Sequence, residues 1–277
     1  TSGDLFFNST TVTRHLQTHS KPAKRYELAE RNGVTTFMED NDGRWYLWCD
    51  IEHGTPTLDT NYVMFADIAH GKGSSNSVIA ILDRESGEFV GEFADPFISP
   101  HDLAEEACVA GSSVWAGAYG EAFLGWEVNG PGESWYEEIR RNDYQHVYYQ
   151  RSTGSKTDRS SRRYGWRSDR RNKRILLSSL STSLVRDEIT VHSKSGLSEM
   201  LEYVYYEDGS IGPGVMRDER TGARESHGDR VIAYAGCVFL RSESPRYEET
   251  SPAYLPGSMG DILGHKGVWE ASSADVA

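Results

Sequence analysis

The sequence predicts an α/β fold in which a mixed β-sheet is flanked by helices. Three β-prone runs follow one another between Tyr62 and Ala94 with turn signals between them, the pattern of an antiparallel meander. Helix-like and strand-like stretches then alternate as far as Tyr149. Beyond that point apolar residues recur mainly at helical spacing. A chain of 277 residues can hold one large domain or two small ones.

Residues 1–24 are polar and mixed, with Leu5-Phe6-Phe7 as their apolar cluster. They are expected to be a linker from an upstream domain. Residues 25–60 hold short alternating pieces, with a strand at Arg44-Trp45-Tyr46-Leu47-Trp48 after the turn Asn41-Asp42-Gly43. The meander starts with Tyr62-Val63-Met64-Phe65, and Asp67 closes that run. Gly71-Lys72-Gly73 turns the chain into Val78-Ile79-Ala80-Ile81-Leu82, and Ser86-Gly87 turns it into a third run ending at Phe93.

Pro100 to about Gly111 predicts a helix. Pro100 stands early in it, and Asp102, Glu105 and Glu106 lie near its positive end, where acids are favoured. A short apolar strand from Ala122 ends in Glu127. A turn follows at Asn129-Gly130-Pro131-Gly132, and then a helix to about Asn142. Val147-Tyr148-Tyr149 is another short strand. A helix over Asp169–Val185 carries Leu176, Leu177, Leu180 and Leu184 on one face. Leu197, Met200, Leu201 and Val204 predict a further amphipathic helix, and Gly209 to Gly214 a turn within a hairpin. His227-Gly228-Asp229 opens a last helix with Val231, Ile232, Ala235, Val238 and Phe239 as its apolar face. Residues 25–242 thus form the expected domain, and 243–277, rich in Ser, Pro, Gly and Glu, a flexible tail.

The net charge of −13 argues against a generally basic nucleic-acid binder. The average hides an asymmetry. Arg151 to Arg174 holds eight Arg and two Lys against Asp158 and Asp169, a net of +8, which leaves −21 for the rest. One basic segment on an acidic body points to a local polyanion contact, with a solvated loop as the plainer reading. Arg159, Arg162, Arg163, Arg167, Arg170, Arg171 and Lys173 are its candidate DNA-binding residues. Cys49, Cys108 and Cys237 fit neither a disulfide framework nor a zinc pattern, so a reducing compartment is expected. No apolar run approaches the roughly 20 residues of a membrane span, and no signal peptide is visible.

The predicted order is meander, helix, strand, helix, strand, then helices. It matches the ribonuclease H-like fold, whose first and fourth strands are adjacent and parallel. In that arrangement Asp67 and Glu127 converge, and Asp229 stands at the start of a late helix. Clustered carboxylates repel and raise one another's pKa, which is tolerable when divalent cations neutralise them. Oxygen ligands suit Mg²⁺ or Mn²⁺, and two such ions roughly 3.5–4 Å apart can drive phosphodiester cleavage.

Four motifs occur in sequence: Asp67-Ile68-Ala69-His70-Gly71, Gly125-Trp126-Glu127-Val128-Asn129-Gly130-Pro131-Gly132, Tyr164-Gly165-Trp166 and Ser226-His227-Gly228-Asp229. As an ordered set they resemble the nuclease domain of the large terminase subunit, the DNA-packaging motor of tailed bacteriophages. The resemblance runs from about Arg25 to Arg241. It implies a metal-dependent endonuclease that cuts concatemeric double-stranded DNA during packaging in the host cytoplasm. The portal protein and the small terminase subunit would be its partners. By position Asp67, Glu127 and Asp229 match the family's metal-binding acids, and His227 is a further candidate ligand for two Mg²⁺ or Mn²⁺ ions. Many large terminases carry His-Asp-Asp where this chain has His227-Gly228-Asp229. An all-oxygen second site would then lack one acid.

The alternatives are another ribonuclease H-like nuclease, such as a resolvase or transposase, and a DNA- or portal-docking module without catalysis. The stretch Ala69-His70-Gly71-Lys72-Gly73-Ser74-Ser75 hints at a phosphate loop but lacks the P-loop spacing. The ATPase that such motors carry is therefore expected elsewhere, upstream of this chain. His101, His146 and His192 are expected as surface or packing residues. Trp45, Trp48, Trp126, Trp135 and Trp166 are expected in the core.

Overall fold

The strand that ends in Asp67 lies inside a seven-stranded sheet, and its neighbours on both sides determine where that carboxylate points. The computed structural model describes residues 4–56, 60–117, 120–150, 163–213, 221 and 228–243. Within them, β1 (Lys24–Arg31), β2 (Val34–Glu39) and β3 (Trp45–Leu47) precede a small hairpin, β4 (Ile51–Glu52) with β5 (Thr55–Pro56). The meander follows as β6 (Tyr62–Asp67), β7 (Ser77–Asp83) and β8 (Phe89–Asp95). The fourth strand of the expected fold is β9 (Phe123–Trp126). The sheet order is β2-β1-β3-β8-β7-β6-β9. Its pairings are antiparallel except β6 with β9, which run parallel. This is a ribonuclease H-like mixed sheet flanked by helices.

The pleat sorts the strand residues onto two cores. Val63, Phe65, Val78, Ala80 and Leu82 join one core with α4 (Arg170–Val185), α5 (Lys194–Leu201) and α6 (Asp229–Glu243). Tyr62, Met64, Ala66, Ile79 and Ile81 join the other with α2 (Pro100–Val109) and α3 (Trp135–Arg141). Successive side chains on a strand alternate in direction, so Asp67 continues the row of Val63 and Phe65 towards α4 and α6. Phe123 belongs to that same core, while Leu124 and Trp126 belong to the other. Glu127, one residue past β9, therefore points to the α4–α6 side as well. α6 lies close against this face because Gly236 has no side chain: a Cβ there would come within 2.1 Å of the Phe65 ring.

Most predicted elements fall where expected. The helix beginning at Pro100 has Ser99 as its N-cap, whose hydroxyl accepts from the Asp102 amide. It continues past Val109 as a π-helical turn, Ala110–Val114. Gly130–Ser134 forms a 3-10 turn leading into α3. Tyr149–Gln150 (β10) pairs with Arg163–Tyr164 (β11). The buried stripe of α4 contains Leu176, Leu177, Leu180 and Leu184, as its spacing predicts. All five tryptophans expected in the core are buried. His146 and His192 each meet a backbone carbonyl, of Glu121 and His19 respectively, and His101 sits 2.9 Å from Glu138.

Two readings are corrected. Inside the stretch expected as a linker, Ser9–Thr18 forms α1, capped by Asn8, with Val12 and His15 buried. Phe7 and Val12 join the core that α5 and α6 share, so this stretch is integral to the fold. Its polar sequence hides the helix because only a narrow face is buried. The helix expected through Val204 ends at Leu201. Val204 lies instead in β12 (Tyr203–Tyr205), which pairs with β13 (Ile211–Pro213). The expected tail lies outside the described residues from 244 onward. No helix among the described residues is long and apolar enough to cross a membrane.

Candidate metal and nucleic-acid site

Register brings two of the predicted acids together. Ala66 pairs with Trp126 in the parallel β6–β9 ladder, and the Glu127 amide donates to the Ala66 carbonyl at 3.1 Å. The residues that follow, Asp67 and Glu127, are thus neighbours on one face of the sheet, both half-buried. Burial pushes the Asp67 carboxyl well above the usual carboxylate range. The charge of Glu127 and then that of Asp229 raise it further, and Lys173 opposes them. Burial also raises Glu127, against the Ser168 hydroxyl and Lys173. Carboxylates in this state favour either a proton or a nearby cation.

The segment carrying Ser168 is tied to this end of the sheet. Val128 donates to the Trp166 carbonyl at 2.9 Å, and Trp166 donates to the Trp126 carbonyl at 2.8 Å. The Asn129 side chain exchanges hydrogen bonds with the Ser168 backbone at 2.9 and 2.7 Å. Two motifs far apart in sequence, Gly125–Gly132 and Tyr164-Gly165-Trp166, therefore form one edge that holds Glu127 and Ser168 together.

Asp229 opens α6 and is buried. Its Oδ1 accepts from the Ser75 hydroxyl and its Oδ2 from the Asn76 amide, both at 2.9 Å. The next residue, Arg230, is fully buried. Its Nε donates to Glu92 at 2.7 Å, its Nη1 to Glu199 at 2.6 Å, and its amide to Glu199 at 3.1 Å. The Tyr234 hydroxyl donates to the other oxygen of Glu92. This network fixes the first turn of α6, and sequence reading missed it. Its partners lie 138 and 31 residues apart, so no local pattern signals it.

Gly228 has a structural reason that the sequence did not suggest. Its φ is +73°, and a Cβ there would stand 2.4 Å from the Tyr203 ring. The Tyr203 hydroxyl donates to the Gly228 carbonyl at 3.1 Å. An aspartate at this position would meet both a left-handed backbone and that ring.

His227 lies outside the described residues, as do Arg159 and Arg162. Arg163 is exposed on β11. Arg167 precedes α4 and is exposed too. Arg170 and Arg171 are exposed on the first turn of α4, and Lys173 is half-buried beside them. Arg170 donates to the Asp208 carbonyl of the β12–β13 turn. A cleft of about 620 Å³ lies there, lined by Arg170, Arg171, Lys173, Arg174 and the turn residues Gly209, Ser210 and Ile211. Four cations at the positive end of a helix oppose its dipole, each by roughly 0.3–1 kcal/mol. An anion over this end would remove that cost.

The donor chemistry at the sheet end suits a hard divalent cation, being carboxylate oxygen throughout. Among the described residues, however, no three His, Cys, Asp or Glu side chains are arranged to hold a metal ion. Asp67 and Glu127 stand as a pair, while Asp229 engages the β6–β7 turn.

No protein-family model matches this sequence, and no curated protein matches it. Solved structures do match. The large terminase nuclease from thermophilic phage G20c aligns over 82% of this chain and 96% of its own, with a TM-score of 0.50 at 19% identity. The same nuclease with bound cobalt gives 0.54, and with bound magnesium 0.53, both at 16% identity over the same shares. The described residues contain the parallel strand pair, the preceding meander and the late helix that the sequence motifs imply. This chain has the fold of the large-terminase nuclease domain.

Proposed function

We propose that this chain is a metal-dependent DNA endonuclease, the nuclease part of a phage packaging motor that cuts concatemeric double-stranded DNA. The observation that carries the reading is the parallel β6–β9 pairing, which sets Asp67 and Glu127 side by side at the sheet end facing Asp229 and Lys173. Asp67, Glu127 and Asp229, with His227 as a further donor, would hold two Mg²⁺ or Mn²⁺ ions. Such ions supply an activated water and charge stabilisation for the leaving oxygen of a phosphodiester.

The protein's own groups divide the remaining work. Asp67 and Glu127 must be ionised to act as ligands, and Lys173 favours that state in both. Arg163, Arg167, Arg170 and Arg171, all exposed, would neutralise DNA phosphates, with Arg159 and Arg162 of the same segment. Contacts of this kind position a duplex without reading its bases. The portal protein and the small terminase subunit are the proposed partners in the host cytoplasm.

Plasmid nicking with and without Mn²⁺ tests the activity. Asp67→Asn should lower cleavage by more than the roughly 10–100-fold typical of a change behind the ligands, with the fold intact by circular dichroism. Wild-type cutting by the purified variant would overturn the assignment. A second measurement tests the interface. Replacing Arg167, Arg170 and Arg171 with Ala should weaken binding to all duplex sequences alike. It should also flatten the salt dependence, by about 0.9 in slope for each phosphate that is no longer neutralised. An unchanged slope would place the duplex elsewhere.

A further inference from the structure

The glycine-rich turn after β6 lacks the spacing of a phosphate loop, and its geometry shows another use. Gly71 and Gly73 have φ of +69° and +74°. A Cβ on Gly71 would lie 2.5 Å from the Ile98 carbonyl oxygen, and one on Gly73 would lie 2.5 Å from the Phe97 ring. The turn is thus seated on the segment between β8 and α2, and the Gly73 amide donates to the Pro96 carbonyl at 2.9 Å. The Ala69 amide donates to the Ser77 hydroxyl at 3.1 Å, which closes the turn from the other side. From this seat Ser75 and Asn76 reach across 154 and 153 residues of sequence to the two oxygens of Asp229.

We infer that Ser75 is a positioning residue for the metal site: its hydroxyl, together with the Asn76 amide, fixes the orientation of the Asp229 carboxylate. A carboxylate oxygen has more than one acceptor direction, so each oxygen can keep its donor and still face a cation. Hydrogen bonds behind a ligand orient it and reduce the ordering that binding requires. The next residue, Arg230, is anchored to Glu92 and Glu199, so both the backbone and the side chain of Asp229 are held. The inference rests on the reading of Asp229 as a ligand, and the test separates the two.

Calorimetric titration of the DNA-free chain with Mn²⁺ reads affinity without cleavage. Ser75→Ala should weaken binding by roughly 10–100-fold, with the fold intact by circular dichroism. Ser75→Thr keeps the hydroxyl and should restore affinity to near wild type. Should the alanine variant collapse the turn, Ser75→Cys offers the same shape with a weaker donor and should fall between. Asp229→Asn is the control for the underlying reading. If it weakens Mn²⁺ binding and Ser75→Ala does not, the positioning role is wrong and the ligand role stands. If neither variant changes affinity, both are wrong. Tighter binding by Ser75→Ala would show that the turn restrains Asp229, and would overturn the inference as well.

Discussion

Two groups of carboxylates lie under the same helix and are treated in opposite ways. Glu92 and Glu199 are buried, and Arg230 stands between them with a hydrogen-bonded contact to each. Tyr234 takes a further oxygen of Glu92. Asp67 and Glu127 lie at the sheet end, with each other and Asp229 as neighbours and Lys173 as the opposing charge. No ion pair within 4.0 Å joins Lys173 to either acid among the described residues. In the first group each carboxylate has a hydrogen-bonded partner within the chain. Among the described residues, the second carries more carboxylates than Lys173 offsets, a state that favours either a proton or a cation. Partnering within the chain distinguishes the two groups more sharply than burial does, because burial raises the carboxyls of Asp67, Glu127 and Glu199 alike.

The largest effect expected from this comparison comes from removing the balancing charge. Arg230→Met leaves Glu92 and Glu199 buried without their cation. Breaking a buried pair from one side typically costs about 3–5 kcal/mol. For a chain of this size each kcal/mol is worth roughly 2–4 °C of melting temperature. The loss should also acquire a pH dependence. Buried acids without a cation have folded pKa values above their unfolded ones, so the folded state binds more protons. The variant should therefore lose stability as pH rises through the range above the unfolded carboxylate pKa, and regain part of it on acidification. Melting curves from pH 5 to pH 8 check this. A small loss that does not vary with pH would mean that Arg230 contributes packing rather than charge balance.

The same contrast explains what could be read from the sequence. Asp67 and Glu127 each end a short apolar run, and such runs are recognisable from composition alone. The parallel pairing of those strands followed from element order. Asp229 was visible as the acid at a helix start. The balancing network was not visible, since Glu92 reads as an exposed alternation within its strand and Arg230 as one charge on an amphipathic helix. Their pairing is created by the tertiary fold. The linker reading of residues 1–24 failed for a related reason: α1 buries Val12 and His15 but few other residues, too narrow a stripe to show as periodicity. Gly228 invited a chemical explanation, a missing metal-binding acid, where packing against Tyr203 supplies the observed one. One signal was present and unused. Asn32 and Gly33 both have positive φ between β1 and β2, and an Asn-Gly pair is the strongest short-range hairpin mark.

A smaller effect, opposite in sign, should come from relieving the unbalanced group. Burial, Glu127 and Asp229 all raise the Asp67 carboxyl in the folded state. A raised acid pKa means that the folded protein holds its proton longer than the unfolded chain does. Its contribution then becomes unfavourable as pH rises from the unfolded pKa through the folded one, and stays so above it. Asp67→Asn removes the charge and keeps the shape. The metal-free variant should melt above wild type at pH 8, by about 2–4 °C for each kcal/mol of repulsion relieved. At a pH low enough to protonate Asp67 in both states the two should converge. Adding Mn²⁺ at pH 8 should reverse the order, because an ion that binds only the folded state stabilises wild type in proportion to its affinity, and the variant has lost a ligand. A variant less stable than wild type at pH 8 without metal would show that Lys173 already compensates this carboxylate, and would remove the distinction between the two groups.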